Sequence, residues 1–290
     1  MRLFITVDYE LFWGVYDSIG WEKYKENILG ASSALLKIAE ITNKYNIKLS
    51  IACVGMLMED KEIDFNLFEN QNLIPKKALC AKNEIIALAK YDNCEIGSHT
   101  FSHSMLDEKS EIDIIDDIRK TNDLLRNSCR FHVFPRNKFS KNAYNTYKDC
   151  RNMIMRSIDN NWIDKKLKNS NNNLFKKTLI FLRFIDSFIN LSGHNPAIPD
   201  ERYTSNKDLW FSSKYYRCSE SRVLNFLRNR RIYNSILSAI KKNKDYHFWF
   251  HPHNFGSNTE IHLKSFENLL KMLVVHVENN QIKSTFFSES

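Results

Sequence analysis

The segment Arg2-Leu-Phe-Ile-Thr-Val-Asp8-Tyr-Glu10-Leu-Phe-Trp-Gly14 begins as an apolar run and then presents two acids two residues apart. A short apolar run of this kind predicts a buried β-strand, here over residues 3–7. Carboxylates at the carboxyl end of a strand lie where an α/β barrel keeps its chemistry. The segment therefore predicts both the first strand of an α/β fold and one edge of a functional site.

Further apolar runs alternate with segments of helical spacing along the rest of the chain. Strands are predicted at residues 48–54, 94–98, 131–134, 153–158, 246–250 and 282–287, and helices at 22–45, 82–91, 110–126, 140–150, 174–191, 220–242 and 260–278. We expect the asparagine-rich residues 159–173 to form a loop and residues 192–216 to be irregular. This alternation favours parallel strands with crossover helices, in seven or eight β-α units, which suggests a barrel.

The size and composition of the chain are those of one α/β domain. Its 290 residues and 43% hydrophobic content are enough to bury a large core, and a single barrel routinely takes this length. Only 7 glycines and 5 prolines are present, so no linker rich in either divides the chain. We expect one catalytic domain over residues 1–290.

The net charge is +8, with basic residues concentrated at Arg228-Asn-Arg-Arg231 and Lys241-Lys-Asn-Lys244. Such charge could attract nucleic acid, an anionic membrane or an acidic substrate. No groove-reading motif accompanies it, so we interpret these residues as solvated helix faces. We therefore expect no nucleic-acid partner.

The longest apolar segment, residues 174–191, carries three basic residues and one acid, which disfavours a transmembrane helix. Its apolar positions follow helical spacing instead, and peripheral membrane contact is left open. Met1-Arg2 runs directly into the first strand without the features of a signal peptide. The six cysteines occur singly, which fits reduced thiols better than a disulfide framework. A cytoplasmic location is the expectation.

A histidine pair lies in the stretch Glu95-Ile-Gly-Ser-His99-Thr-Phe-Ser-His103, close behind a short predicted strand. Two imidazoles four positions apart can point at one small volume, and neutral imidazole nitrogens bind zinc and similar ions. The alternative is two polar residues on a solvated turn. By itself the pair is a moderate indication of a metal site.

A third polar cluster follows the aromatic strand in Tyr246-His-Phe-Trp-Phe-His251-Pro-His253-Asn-Phe-Gly256. The three strand ends at Asp8, His99 and His251 thus carry acids or histidines. Carboxyl ends of parallel strands meet at one edge of a sheet, so these ends are expected to lie near one another.

The acid pair, the motif Gly97-Ser-His-Thr-Phe-Ser-His103 and the late Phe250-His-Pro252 resemble the polysaccharide deacetylase family. These are the NodB-homology, carbohydrate esterase family 4-like hydrolases that remove acetyl groups from N-acetylated sugars. The resemblance spans Thr6 to about Gly256. It implies a distorted (β/α) barrel with fewer than eight regular strands, and a hydrolase that uses a divalent metal, zinc in the first place.

By this resemblance Asp8 is the general base, and Glu10 is a metal ligand together with His99 and His103. The residues themselves leave open which acid does what. In a continuing strand Asp8 and Glu10 point to the same side, and Glu10 reaches one carbon further. The alternative is that both acids cap a loop.

The same resemblance makes His251 the general acid towards the departing nitrogen, with His253 as the alternative on the same side of a strand. Arg136 matches the family's arginine that holds the base ionised, because a nearby opposite charge favours the charged carboxylate. An ordinary surface arginine is the alternative reading. Trp13, His253 and Asn254 are expected to contact the substrate.

The function implied is removal of an N-acetyl group from an amino sugar in a polysaccharide or glycan precursor. Hydrolysis of another C–N amide bond, in a formamide or a cyclic ureide, uses the same machinery, since a fold does not fix its substrate. A glycan-binding relative without activity is the third reading. The sequence does not identify the sugar or the oligomeric state.

Overall fold

The computed structural model describes residues 1–59, 74–125, 129–151, 153–203 and 206–290. Its strands are β1 (Arg2–Tyr9), β2 (Leu49–Cys53), β3 (Cys94–Ser98), β4 (Phe131–Val133), β5 (Ile154–Asp159), β6 (Ile198–Pro199), β7 (Leu209–Ser212), β8 (Lys214–Tyr215), β9 (Tyr246–Phe250) and β10 (Lys283–Ser284). Its helices are α1 (Trp21–Lys44), α2 (Lys82–Leu88), α3 (Glu111–Leu124), α4 (Lys141–Arg151), α5 (Trp162–Asn169), α6 (Asn173–Asp186), α7 (Arg222–Lys241), α8 (His253–Gly256) and α9 (Thr259–Glu278).

All ten strands belong to one sheet, in the order β6-β7-β5-β4-β3-β2-β1-β9-β8, with β10 paired to the start of β1. Every strand pair is parallel except β6–β7, which is antiparallel. The prediction of an α/β fold built on parallel strands with crossover helices is confirmed.

The chain itself joins the two sides of this strand order, because β7 lies next to the terminal strand β6 and β8 is the other terminal strand. Strands β7 and β8 are consecutive and are separated only by Ser213. The backbone N–H of Ser213 donates to the carbonyl of His247 in β9 (2.7 Å). The continuous segment β7–β8 thus pairs with β5 at one end and with β9 at the other. This pairing curves the sheet towards the barrel that the sequence suggests.

Strand β1 lies at the centre of the sheet, between β2 and β9. Its apolar side chains are 0–1% exposed because helices cover one face and the sheet interior the other. In register, Tyr9 pairs with Cys53 and Val7 with Phe250, while Cys53 pairs with Ser98 on β3. The residues that follow these strands therefore emerge at the same edge.

Helix α1 packs closely against the short helix α8, which follows β9. The buried face of α1 is formed by small and aliphatic residues at helical spacing, among them Ala31, Leu35 and Ile38. A Cβ atom on Gly30 would lie 2.2 Å from the backbone oxygen of Gly256. Only glycine allows this approach, and the contact positions the turn that carries His251.

Two predicted segments differ from the structure. Residues 159–173 were expected to be a loop, yet they contain α5, whose Asn161 side chain accepts the N–H of Asp164 (2.8 Å) as an N-cap. Residues 192–216 were expected to be irregular, yet they contain β6, β7 and β8. These strands have two to four residues, too short to show a period in the sequence.

The remaining long elements agree with the sequence. Ser110 caps α3, as its spacing from Asp113 suggests, and accepts the N–H of that residue (3.2 Å). The predicted end of this helix, Arg126, lies outside the described residues. Within the described ranges, no helix combines the length and apolar character needed to cross a membrane.

Candidate active site

Glu10, His99 and His103 converge at the carboxyl ends of β1 and β3. The Oε2 atom of Glu10 lies 3.2 Å from Nε2 of His99 and 3.0 Å from Nε2 of His103. All three side chains are buried, and one ligand atom from each lies within 4.8 Å of the others. Two segments separated by nearly ninety residues thus form one cluster of potential metal donors.

The backbone around these residues is held in unusual conformations. Thr100 and His103 have φ of 63° and 60°, and Leu11, next to Glu10, has φ of 47°. This left-handed region is unfavourable for non-glycine residues, so they persist there only where their surroundings hold them. Gly55 and Met56 provide such support by donating backbone hydrogen bonds to the carbonyls of Thr100 and Phe101 (2.9 and 2.8 Å).

The donor set fits a divalent metal. The Nδ1–H of His99 donates to the carbonyl of Val133 (2.7 Å), so the neutral ring presents the lone pair of Nε2 towards Glu10. A Cβ on Gly14 would lie 2.0 Å from the carboxyl carbon of Glu10, so glycine leaves room for that carboxylate. One carboxylate and two imidazoles are typical ligands of zinc in hydrolytic sites. Their role as metal ligands stays a prediction.

A second group of potential donors shares Glu10 and adds His251 and His253 from the turn after β9. Oε1 of Glu10 lies 3.5 Å from Nε2 of His251 and 3.8 Å from Nδ1 of His253. The Nδ1 atoms of both histidines lack a hydrogen-bond partner among the described residues. These rings therefore lack the fixed tautomer that Val133 gives to His99, and we favour the first group as the metal site.

Asp8 is held by Arg156 of β5. Nη1 of Arg156 donates to Oδ1 of Asp8 (2.8 Å) and Nη2 to Oδ2 (2.5 Å), and both side chains are almost fully buried. Arg156 also donates to Oγ1 of Thr6 (2.8 Å), and its guanidinium carbon lies 4.2 Å from the centre of the Trp249 ring. A two-pronged ion pair of this kind fixes the carboxylate in orientation as well as charge.

The predicted pairing of Arg136 with Asp8 is wrong. Arg136 lies on a surface turn, where its guanidinium pairs with Asp17, and its side chain is 35% exposed. Arg136 was predicted because it follows a middle strand, as the family's arginine does. Arg156, inside a buried strand, was not considered. The signal was present: a charged residue in the middle of the apolar strand β5 needs a buried acid as partner.

His251 occupies the open side of the cluster. Its Nε2 lies 3.8 Å from Oδ2 of Asp8, and its side chain is 21% exposed, whereas that of His253 is 6% exposed. Burial, together with the charge of His251, lowers the pKa of His253 to about 3. His253 is thus a neutral, enclosed ring, while His251 faces the open cleft.

The carboxyl groups remain ionised despite their burial. Burial acts to raise the pKa of Asp8, but Arg156, with His99 and His251, holds the pKa below its ordinary value. Burial likewise opposes the ionisation of Glu10, and His251 and His103 outweigh it, so the pKa of Glu10 lies well below its usual range. The site thus contains two buried carboxylates with different partners, one with an arginine and one among histidines.

A cleft of about 830 Å³ opens above these residues. Asp8, Glu10, His103 and His251 lie on its walls, with Trp249 beside them. Such a volume is in the range of small-molecule binding sites. A larger hollow of about 1020 Å³ lies between α7 and α9 and includes none of these residues.

The predicted substrate contacts have different outcomes. Trp13 is 1% exposed and its indole N–H donates to the carbonyl of Leu79 (2.9 Å), so its predicted sugar-stacking surface does not exist. His253 and Asn254 line the cleft. Asn254 donates to the hydroxyl of Tyr215 (2.6 Å) and accepts from that of Tyr24 (3.1 Å). Trp249, which the sequence analysis did not single out, is the tryptophan at the cleft.

Comparisons with known proteins bear on the family and the fold of this chain. The model of the family described as polysaccharide deacetylase matches residues 29–152. A putative polysaccharide deacetylase from Mycobacterium smegmatis is 8% identical over 99% of this chain and 87% of that one, with a TM-score of 0.63. Puue allantoinase is 9% identical over 99% of this chain and 89% of that one, with a TM-score of 0.55. No match is found among curated proteins.

A third solved structure is longer than this chain. The pseudoenzyme of the CE4 family from Bacillus anthracis is 12% identical, with a TM-score of 0.45, and the match covers 94% of this chain and 60% of that protein. The chain therefore spans about three fifths of the length of that protein.

The fold is the (β/α) barrel type of the Mycobacterium smegmatis protein and the allantoinase, built on a mostly parallel sheet. The resemblance to the polysaccharide deacetylase family predicted from the sequence is confirmed by the family model that matches residues 29–152.

Proposed function

We propose that this protein is a metal-dependent hydrolase that removes the N-acetyl group from an amino sugar in a polysaccharide or glycan precursor. The observation that carries the proposal is the convergence of Glu10, His99 and His103 beside the Asp8–Arg156 pair and His251, all within one cleft. Hydrolysis of an amide needs an activated water, stabilisation of the developing oxyanion and a proton for the leaving nitrogen. The cleft contains a candidate for each requirement.

Glu10, His99 and His103 would hold the divalent metal, for which zinc is our first choice. A metal bound there would supply Lewis-acid polarisation of the acetyl carbonyl and would lower the pKa of water. The carbonyl of Val133 orients the ring of His99, and Gly14 leaves space for the carboxylate of Glu10. These contacts set the donors before any ligand arrives, which reduces the ordering cost of binding.

Asp8 is our candidate for the general base. Arg156 binds each of its oxygens once, and a carboxylate oxygen has two lone pairs, so each oxygen retains one that can accept a proton. Arg156 keeps the carboxylate ionised and fixed in direction. We assign Glu10 to the metal and Asp8 to the base because the histidines surround Glu10, whereas the arginine holds Asp8.

His251 is our candidate for the general acid. It lies on the solvent side of Asp8 and Glu10, where a sugar nitrogen leaving the acetyl group would depart. His253 is enclosed behind it, with the two rings stacked at 4.8 Å between their centres. We therefore assign His253, which lines the cleft at its inner end, to packing and orientation of His251, and Asn254 to the substrate-facing wall of the cleft.

The second candidate is hydrolysis of a formamide or a cyclic ureide with the same residues. The similarity to Puue allantoinase is a similarity of fold. The proposed metal ligands, the base Asp8 with its partner Arg156, and the acid His251 would serve either reaction. The third candidate, a glycan-binding relative without activity, is less suited to the cleft. A binder has no use for a carboxylate held ionised by a buried arginine beside a partly exposed histidine.

We also propose a cytoplasmic location. Its support is that the thiols of Cys53, Cys94 and Cys129 are buried without a disulfide, as in reduced proteins. The partner implied by the function is an N-acetylated sugar or glycan. The charge pattern gives no reason to add a nucleic acid.

The test is a substrate panel. The protein, loaded with Zn²⁺, is incubated with N-acetylated sugars and oligosaccharides, with formamido sugars and with allantoin, and the release of acetate, formate and amine is measured. Acetate release from an amino sugar that stops on chelation and returns with Zn²⁺ supports the proposal. Full activity of the chelated protein overturns it, and turnover of allantoin alone selects the second candidate.

A further inference from the structure

Helix α6 exposes an apolar stripe that no described element covers. Leu174, Ile180, Phe181 and Phe184 are 76%, 49%, 62% and 42% exposed. Single exposed apolar residues are ordinary, but a contiguous set on one helix marks a surface for a partner or a lipid. The structure therefore contains an unpartnered apolar face next to its cleft.

The positions of these residues make one continuous stripe. Residues 174, 177, 181 and 184 follow each other at intervals of three or four, and residue 180 lies three positions after 177 and four before 184, so they share the outer side of α6. Leu179 and Asp186, on the opposite side, are buried against the body of the protein. Trp162 at the start of α5, 42% exposed, adds an aromatic ring to the same pair of helices.

The two helices α5 and α6 are rich in basic side chains. Between residues 162 and 186 the chain has six basic residues, Lys165, Lys166, Lys168, Lys176, Lys177 and Arg183, and two acids, Asp164 and Asp186. Asp186 is buried and pairs with Lys214 of β8, so it contributes no negative charge to this surface. We call the exposed side chains of these two helices the α5–α6 face.

The α5–α6 face borders the mouth of the candidate active site. Lys176 and Arg183 line the cleft from α6, and Leu167 and Lys168 line it from α5. On α6, residues 176 and 183 lie one helical step from Ile180 at the edge of the stripe. Whatever the apolar stripe contacts is therefore placed beside the cleft opening.

We propose that the α5–α6 face seats this protein on an anionic lipid bilayer, and that the cleft acts on an amino sugar held at that surface by a lipid. Phenylalanine, leucine and tryptophan flanked by lysine is the composition of helices that lie in a membrane interface. The basic side chains provide the charge complementary to anionic headgroups. The first part stands independently, and the second rests on the proposed function.

A protein partner suits this surface less well than a bilayer does. Lysine is depleted at protein interfaces, whereas the two helices that form this face contain five lysines. The stripe occupies the outer side of α6, whose other side is buried against the body of the protein, so the contact would be peripheral. Self-association through the stripe is the competing outcome, and measurements of vesicle binding and oligomeric state separate the two.

Co-sedimentation with vesicles tests the docking. The full chain is mixed with phosphatidylcholine vesicles with and without phosphatidylglycerol, and bound protein is measured. We expect binding to the anionic vesicles only, weakened by salt. Leu174→Ser with Phe181→Ser should lower the partition coefficient at least about tenfold. Lys166→Gln with Lys177→Gln should lower it roughly tenfold or more.

The matched control is Val223→Ser with Phe226→Ser on α7, which removes an aliphatic residue and a phenylalanine of similar exposure, 67% and 61%. It should bind vesicles as the wild type does. The docking proposal is overturned if wild type does not sediment with anionic vesicles, or if this control lowers binding as much as the α6 variant does. It is also overturned if analytical ultracentrifugation shows a dimer that the α6 variant dissociates while no vesicle binding occurs.

The substrate part has its own readout. An N-acetylglucosamine glycolipid embedded in anionic vesicles is compared with a water-soluble glycoside of the same sugar. We expect the α6 variant to lose at least about tenfold in acetate release from the glycolipid only, since neither side chain lines the cleft. The substrate part is overturned if the α6 variant loses acetate release equally on both substrates, or if it loses none on either. Inactivity of wild type on both, with vesicle binding intact, refutes the proposed function and leaves the docking standing.

Discussion

Two acids two residues apart have different surroundings in this site. Asp8 is bound by a guanidinium and Glu10 by imidazoles, although both emerge from the end of β1. The difference arises because β1 ends at Tyr9 and Glu10 is the N-cap of a short 3₁₀ segment, Leu11–Gly14, so the two carboxylates diverge. Their division of labour, base against metal ligand, follows from these partners and is open to mutation.

Asp8→Asn should abolish turnover while leaving metal bound. The amide keeps the shape of the carboxylate but cannot accept the proton of the attacking water, so kcat should fall by about 10²–10⁴. Metal content is measured by atomic absorption and activity by acetate release. His99→Ala, in the matched experiment, should lose the metal as well. Loss of metal in Asp8→Asn would mean that Asp8, and not only Glu10, is a ligand.

Arg156→Met should destabilise the fold where Arg136→Met does not. Removing Arg156 leaves the buried charge of Asp8 without its partner, which costs about 3–5 kcal/mol in the free energy of unfolding. Arg136 forms a surface pair with Asp17, so its loss should change that free energy by less than about 1 kcal/mol. Urea titration measures both. Equal effects would contradict the role of Arg156 as the buried partner of Asp8.

At the scale of single residues, the sequence identified most of the cluster and erred on one arginine and one tryptophan. His99, His103 and His251 stand in motifs whose order along the chain reflects their place at strand ends. Arg156 stands in no such motif, and its partner becomes known only when β5 and β1 face each other across the interior. Trp13 was misread because its burial depends on Leu79, distant in sequence.

Among the elements, the contact of α1 with α8 links packing to the site. A Cβ on Gly256 would lie 1.9 Å from the backbone oxygen of Asn27 in α1. Asn27 also donates to the carbonyl of His253 (3.0 Å), so α1 holds the turn after β9 directly. Any displacement of α8 is therefore transmitted to the histidines.

Gly256→Ala should lower both stability and kcat. The methyl group forces α8 away from α1, with a cost of about 1–3 kcal/mol typical of overpacking, and it shifts His251 from its position beside Asp8. Gly20→Ala is the control, because nothing lies within 4 Å of a Cβ at that position. Urea titration and acetate release are measured on both variants. A fully active Gly256→Ala protein would show that α8 does not position the site.

Asp117, on α3, should make stability depend on pH. Burial raises the pKa of its carboxyl to about 6, despite hydrogen bonds from the Phe101 N–H and the Tyr147 hydroxyl. A folded pKa above the unfolded value of about 3.8 means that this group's contribution is complete below pH 3.8 and is lost as the pH rises through 6. The loss amounts to about 3 kcal/mol.

Asp117→Asn should therefore be more stable than wild type at pH 7.5 and nearly equal to it at pH 4. The amide can accept from the Phe101 N–H and donate to Tyr147, and it has no charge to bury. Asp116→Asn is the control, since Asp116 forms only surface pairs with Arg119 and Lys120. Denaturation at several pH values compares the variants. A stability difference independent of pH would contradict the assignment.

Sequence patterns predicted the long elements because burial of one face imposes a period on many residues. Helices α1, α7 and α9 and strands β1 and β9 all show such patterns. The patterns failed for β7, because all four of its residues are buried and show no alternation. They failed for α5 because a single buried isoleucine, Ile163, gives no detectable period. Strand β7 nevertheless pairs with β5 and leads into β8, which pairs with β9, and α5 contributes Leu167 and Lys168 to the cleft wall. Both elements therefore matter more to the site than their length suggests.

For the molecule as a whole, the candidate site exists only in the assembled sheet. Its donors come from β1, β3 and the turn after β9, which are brought to one edge by parallel pairing. The sequence alone contained the motifs but not their distances. An unfolded chain cannot reproduce this convergence, so a metal that binds at this cluster should bind the folded state and stabilise it.

Zinc should therefore raise the melting temperature, and the rise should depend on the cluster. A ligand at a hundredfold excess over its Kd stabilises the folded state by about 2.7 kcal/mol. For a chain of this size that corresponds to about 4–5 °C, measured by differential scanning fluorimetry with Zn²⁺ against a chelator. His99→Ala lowers stability by itself, so the quantity compared is the shift produced by zinc. That shift should vanish in His99→Ala and persist in His276→Ala, because His276 lies on α9 and its ring bonds Tyr233 of α7 and Gln281. An undiminished shift in His99→Ala would place the zinc elsewhere, because a cation held by Glu10 loses one of its three proposed donors when this imidazole is removed.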